Sequence, residues 1–198
     1  MLVTDDALVA GRDLPALARA AERGGVTAVQ LRLKRASARE LLEVARTLGT
    51  GLRVPLVVNN RLDVALAAEA AGVHLGPDDL PVALARRVAP PGFIVGASVG
   101  SPEEAALGRG ADYWGVGPWR TTGTKAEAGE PLGPEGFRGV VSLAGGIPCV
   151  AIGGIRPEDV VLVRAVGGAG VAVVSGILSA ADVEERARAY WNCVNSEQ

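Results

Sequence analysis

Lysine is rare in this chain, and its two positions point to chemistry. The 198 residues include 18 arginines but only two lysines, Lys34 and Lys125. Lys125 closes TTGTK (121–125), a run of hydroxyls around a glycine, and Lys34 closes VQLRLK (29–34). An ammonium is a compact point charge that can reach a single phosphate oxygen, whereas guanidinium is a planar fork. Both lysines are therefore expected at anionic ligands, and TTGTK is expected to be a phosphate-binding turn. In VQLRLK, Gln30, Arg32 and Lys34 alternate with apolar residues, which places all three on one face of a strand. If that face points inward, their donors need a ligand or counter-charges, because unpaired buried polar groups are costly.

Other polar residues also stand where apolar runs end. Asn59 and Asn60 are the only asparagines before residue 192. Consecutive amides suit a turn, and they equally suit the donor and acceptor edge of a heterocycle. His74, the sole histidine, sits in HLGPDDLP, and a lone histidine inside an apolar strand is more often a satisfied core residue than a catalyst. Asp78 and Asp79 either cap the next helix or hold Mg²⁺, which takes one or two carboxylates and fills its remaining positions with water and phosphate oxygens. Ser98 ends GASVGS at a rim position. Downstream, AIGGI and VVSG carry glycines that let backbone N–H groups approach an anion.

The elements that position these residues repeat with a steady beat. Eight short β-branched runs occur: LVTD (2–5), TAVQLRL (27–33), PLVVNN (55–60), GVHLG (72–76), FIVGAS (93–98), DYWGVG (112–117), IPCVAIGG (147–154) and GVAVVSG (170–176). Segments with helical spacing lie between them, several opening on a start signature such as Ser37 with Glu40 three residues on. Alternating strands and amphipathic helices mean parallel strands joined by crossovers. Eight units in about 200 residues predict a single-domain α/β fold, a (β/α)8 TIM barrel, with chemistry at the C-terminal strand ends. The barrel domain is expected over residues 1–190, followed by a C-terminal tail at 191–198. The stretch 117–133 has neither helix nor strand period, and loops of that length in compact domains are usually functional.

Composition narrows the partners. The net charge is −2, which gives no support to nucleic-acid binding or to an anionic membrane surface. No run of about 18 apolar residues is present, and the N-terminal residues lack a basic signal-peptide region. Cys149 and Cys193 have no metal-ligand spacing. A cytoplasmic protein acting on small molecules is expected, and whether it is a homo-oligomer is left open.

In their shared order, VQLRLK, VVNNRLDVALAAEAAGVHLGPDD, IVGASV, ADYWGVGP, TTGTK, PLG, IPCVAIGGI and GAGVAVVSGI resemble the thiamine phosphate synthase family and its close relatives, the TenI-type thiazole tautomerases. The resemblance runs from LVTD to VVSGI near residue 177. It implies transfer of an aminopyrimidine from its diphosphate ester to a thiazole phosphate, giving thiamine phosphate and pyrophosphate by dissociative displacement. Gln30 and Asn59 would contact the pyrimidine, and Arg32, Lys34, Lys125 and Ser98 the diphosphate. Asp79 would bind Mg²⁺, with Asn60 where the family usually has a second aspartate. Thr122, Thr124, Gly154 and Val174-Ser175 would bind the thiazole phosphate. Gly100 stands where the family often carries a histidine, the proposed proton shuttle of the tautomerases. A tautomerase and a non-catalytic binder of thiazole or thiamine phosphate are the alternatives.

Overall fold

Strand residues of this chain alternate between two environments, and that alternation builds the architecture. The structure, a computed structural model, describes residues 1–123 and 129–195. Its strands are β1 (Leu2–Val3), β2 (Val29–Leu31), β3 (Leu56–Asn59), β4 (Gly72–Leu75), β5 (Ile94–Val99), β6 (Tyr113–Val116), β7 (Cys149–Ile152) and β8 (Gly170–Ala172). Seven fall inside the expected apolar runs, and β5 runs one residue past its run, to Val99. All pair in parallel in chain order. Leu2 also bridges Val173 in parallel, and the Val3 N–H donates to the Val173 carbonyl at 2.9 Å, closing the sheet into a barrel.

The helices surrounding the barrel are α1 (Asp6–Val9), α2 (Leu14–Arg23), α3 (Ala38–Gly51), α4 (Leu62–Ala67), α5 (Val82–Val88), α6 (Pro102–Leu107), α7 (Gly133–Leu143), α8 (Asp159–Ala165), α9 (Ser175–Leu178) and α10 (Val183–Asn195). The Ser37–Glu40 capping box starts α3, and Ser101 caps α6. Helix α10 runs past residue 190, so residues 191–195, expected in a tail, are helical. The reason is packing. The buried Tyr190 hydroxyl donates to the Ile155 carbonyl at 2.8 Å, and the Trp191 ring lies where a Cβ on Gly25 would come within 2.5 Å. No described helix is long and apolar enough to cross a membrane.

Leu31, Val58, Val73, Val95, Trp114 and Val116 are buried in the hydrophobic core outside the sheet, with Phe137 of α7 among them. Burying one such side chain is worth about 1.5–3 kcal/mol, so this outer layer is a large source of the fold's stability. The opposite strand positions include Gln30 and His74, both buried and polar. A barrel held together from outside is free to carry polar groups inside.

Candidate active site

A cavity of about 980 Å³ opens at the C-terminal ends of the strands and reaches into the barrel as far as Gln30 and Val150. Gln30, Arg32, Lys34, Asn59, Asn60, Asp79, Ser98, Thr122, Gly154, Val174 and Ser175 all line it. Thr124 and Lys125 lie outside the described residues.

The β2 arm departs from strict alternation. The strand ends at Leu31, so Gln30 faces the barrel interior while Arg32 and Lys34 stand beyond the strand, at the rim. Neighbouring side chains end the ladder. The fully buried Thr4 takes the Arg32 N–H on its Oγ1 at 2.8 Å and donates back to the Arg32 carbonyl at 3.1 Å. The Asp6 carboxylate accepts the N–H groups of Lys34 and Arg35 at 2.8 and 3.2 Å. Arg32 Nη1 donates to Asp5 Oδ2 at 3.1 Å, with both side chains largely buried. The arm is thus held by backbone and counter-charge in a shape that turns cations toward the cavity.

Below the rim lies a polar floor. His74, expected as a core residue, is indeed buried, yet it also lines the cavity. Its Nδ1 lies 2.9 Å from the Tyr113 hydroxyl and its Nε2 3.0 Å from Ser98 Oγ. Burial pushes the Tyr113 phenol well above its ordinary range, with Gln30 acting in the opposite direction, and Gln30 Nε2 donates to Met1 Sδ at 3.9 Å. Tyr113 was absent from the sequence-derived site. A signal for it existed in the glycines of β5 and β6. A Cβ on Gly96 would sit 2.3 Å from Tyr113 Cζ, and one on Gly115 would sit 3.1 Å from His74 Cε1. Those two positions are small because two rings fill the barrel there.

The β3 and β4 ends form an oxygen-rich rim. Asp79 Oδ2 accepts the Gly76 N–H at 2.6 Å, which fixes the carboxylate beside the cavity. Asn60 adopts φ +64°, a left-handed conformation that asparagine tolerates better than most residues. Its N–H donates to the His74 carbonyl at 2.8 Å. Among the described residues no three His, Cys, Asp or Glu side chains gather into a self-sufficient metal cage. One or two carboxylates with an amide oxygen suit Mg²⁺, whose other positions are filled by water and phosphate.

The β6–β8 side is built from backbone. Trp119 and Arg120 N–H groups donate to the Ile152 and Gly153 carbonyls at 2.8 and 2.9 Å. The returning end of the loop is tied by the Leu132 N–H to the Pro118 carbonyl at 2.8 Å. Gly153 and Gly154 have φ of +95° and +66°, and a Cβ on Gly154 would lie 2.8 Å from Arg120 Cβ. The sequence reading missed a clamp here. Arg120 grips the buried Asp159 with two guanidinium N–H bonds, and Asp159 also accepts the Arg156 N–H at 2.9 Å. Burial alone would raise the Asp159 carboxyl. Arg120, the Arg156 N–H and the Trp119 ring overcome that and hold it below its ordinary value.

Against this geometry, a family model described as thiamine monophosphate synthase matches residues 1–177. The chain belongs to that family. Within it, the thiamine-phosphate synthase of Syntrophomonas wolfei subsp. wolfei is 47% identical over 192 residues, covering 94% of this chain and 91% of that protein. The thiamine-phosphate synthase of Xanthobacter autotrophicus is 50% identical over 193 residues, covering 95% and 91%. A solved thiamine phosphate pyrophosphorylase from Pyrococcus furiosus superposes with a TM-score of 0.86 at 39% identity, covering 98% of this chain and 93% of that one.

Proposed function

We infer that this chain is a thiamine-phosphate synthase, a transferase that couples a pyrimidine diphosphate to a thiazole phosphate and releases pyrophosphate. The observation that carries the reading is convergence. The Gln30–Lys34 arm, Asn59, Ser98, Thr122 and the Gly154 and Val174-Ser175 backbone come from six different strand ends, yet they line one cavity. The bond between the pyrimidine methylene carbon and the diphosphate oxygen breaks, with its electron pair leaving on pyrophosphate. The electron-rich ring stabilises the resulting cation until the thiazole nitrogen donates its lone pair and forms the new C–N bond. Such chemistry needs no protein nucleophile. It needs leaving-group charge to be held, two rings to be oriented and water to be excluded.

Arg32 and Lys34 supply fixed positive charge for the diphosphate, joined by Lys125, and Ser98 supplies a neutral donor. Gln30 and Asn59 face the pyrimidine. Thr122, Thr124 and the backbone at Gly154, Val174 and Ser175 hold the thiazole phosphate. Asp79 and the Asn60 amide oxygen are the residues that would hold Mg²⁺, which when bound would offset charge on the diphosphate. At Gly100 the N–H is held by Glu104 Oε2 at 2.5 Å, and a Cβ would lie 3.0 Å from the Gly117 carbonyl oxygen. A side chain there would press on that carbonyl, which weighs against a tautomerase with its shuttle at this position.

The test is a coupling assay. Purified protein given both substrates and Mg²⁺ is expected to release one pyrophosphate per thiamine phosphate formed. Absence of turnover across a wide Mg²⁺ range overturns the reading.

A further inference from the structure

The last helix carries a phenol to the β7–β8 side of the cavity wall. Val183, Ala187 and Tyr190 form the buried stripe of α10. Packing alone needs only apolar side chains there, whereas a buried phenol also needs a partner for its hydroxyl. The Tyr190 hydroxyl donates to the Ile155 carbonyl at 2.8 Å. A carbonyl oxygen can only accept, so the direction of this bond is fixed. Burial pushes the phenol up to about 12, so the hydrogen stays in place at neutral pH.

The same hydroxyl lies against the neighbouring turn. A Cβ on Gly176 would stand 2.3 Å from the Tyr190 hydroxyl oxygen and 3.3 Å from the Ile155 carbonyl oxygen. Gly176 is not one of the left-handed glycines, so its missing side chain is room for the hydroxyl rather than backbone freedom. Tyr190 is therefore wedged between the turn after β7 (153–155) and the turn after β8 (174–176). Both turns line the cavity. The β7–β8 ladder ends at Ile152 and Ala172, so beyond it the spacing of the turns falls to side chains. The Ile155–Arg156 peptide is also fixed at its other end, where the Arg156 N–H donates to Asp159 at 2.9 Å.

We propose that Tyr190 is a positioning residue for the substrate phosphate, setting the spacing of the two backbone turns that hold it and keeping the Ile155 carbonyl engaged. Oriented N–H groups serve an anion only where they converge on it, and a carbonyl released beside an anion would repel it. Tyr190 lies beyond residues 1–177, the span of the family match. That the phosphate belongs to the thiazole rests on the synthase reading. The wedge itself is a property of the fold.

Tyr190→Phe removes the hydroxyl and little else, because α10 is docked elsewhere. A Cβ on Gly24 would lie 2.4 Å from the Glu184 carbonyl oxygen, and one on Gly25 would lie 2.5 Å from the Trp191 ring. KM for thiazole phosphate is expected to rise about 10-fold, short of the roughly 100-fold that a 1 Å misplacement can cost. Both kcat and KM for the pyrimidine diphosphate are expected to hold. Trp191→Ala loosens the same helix away from the two turns and is expected to lower the melting temperature with neither KM changed. An unmoved thiazole phosphate KM in Tyr190→Phe overturns the proposal. So does an equal rise in Trp191→Ala, which would make helix docking the cause. Gly176→Ala supplies the converse test, since its methyl strikes the hydroxyl. Adding Tyr190→Phe to that variant is expected to recover part of the lost affinity, with Val173 Cγ1 at 2.8 Å limiting the recovery. No recovery overturns the wedge. If wild type releases no pyrophosphate, the synthase reading fails by itself, and calorimetric titration with thiazole phosphate still decides. Equal Kd for wild type and Tyr190→Phe, or no binding by wild type, overturns the proposal.

Discussion

The two halves of the cavity are made of different material. From β2 to β5 it is built of side chains: Gln30, Arg32, Lys34, Asn59, Asp79 and Ser98. From β6 to β8 it is built largely of backbone, with Gly153 and Gly154 in left-handed conformations and the Trp119–Arg120 strap bonded to β7 carbonyls. The difference matches the tasks assigned to each half. A departing diphosphate gains charge as its bond breaks, and full charges placed beforehand stabilise that change. A phosphate that is merely held keeps its charge throughout, and oriented N–H dipoles are sufficient for it. Substitutions should therefore act through charge on one side and through shape on the other.

The largest effect is expected at Arg32. Arg32→Ala removes a cation from the side proposed for the diphosphate and strands the largely buried Asp5 carboxylate. We expect kcat/KM to drop by about 10²–10³-fold, the size seen when one preorganised donor is removed. Arg32→Lys should recover little, because a point charge cannot hold Asp5 and a ligand oxygen with one planar fork. Full recovery by lysine would mean that charge alone matters on this side.

On the backbone side, Gly154→Ala changes no charge at all. Its Cβ would meet Arg120 Cβ at 2.8 Å and the Thr121 carbonyl oxygen at 3.1 Å, at a φ that side chains avoid. The strap must move, carrying Thr122 with it. KM for thiazole phosphate should rise by roughly 10- to 100-fold, since a displacement near 1 Å has effects of that order. KM for the pyrimidine diphosphate should stay fixed. Equal changes in both would erase the division between the halves.

A smaller effect is expected at the clamp. Asp159 is held below the ordinary carboxylate value of 3.8. A depressed folded-state pKa gives stability that is fully present above the unfolded value and lost as pH falls through the folded one. Wild-type stability should therefore fall below about pH 4 partly through this group. Asp159→Asn should lower stability at neutral pH by about 1–3 kcal/mol and flatten that acid limb, as read by thermal melts between pH 3 and 7. It should raise KM for thiazole phosphate a few-fold, because the strap carrying Thr122 loses its tie to α8.

Much of this was legible in sequence, for identifiable reasons. Each strand announced itself as an apolar run ended by glycine or a polar residue, and residues such as Asn59, Asp79 and Ser98 were conspicuous there by type. Arg32 and Lys34 were recognised as ligand-facing but placed too deep, since alternation fails where Thr4 and Asp6 end the β2 ladder. Tyr113 and the Arg120–Asp159 clamp escaped because their partners are 39 residues away. Nothing in DYWGVG distinguishes an inward tyrosine from its outward tryptophan neighbour until β5 supplies Gly96. Nothing in WNCVN marks residues 191–195 as helix, and the packing of α10 against α2, α8 and α9 makes them so.

The smallest expected effect sits at Asn60, on the rim of the side-chain half. Asn60 is exposed and holds φ +64°. Aspartate also visits that conformation with little strain, so Asn60→Asp adds a carboxylate to the rim without disturbing the backbone bond to His74. The Mg²⁺ concentration for half-maximal activity should fall by about 5-fold, the scale of one more unit charge roughly 4 Å from a cation in solvent. Thiazole phosphate KM should not move, because the added charge lies on the opposite half of the cavity. If the Mg²⁺ dependence is also unmoved, Asn60 is not a ligand, and the metal site narrows to Asp79 with substrate oxygens. If activity instead falls at saturating Mg²⁺, the extra negative charge is acting on the diphosphate itself. The neutral amide would then be part of how this side of the cavity keeps its positive balance.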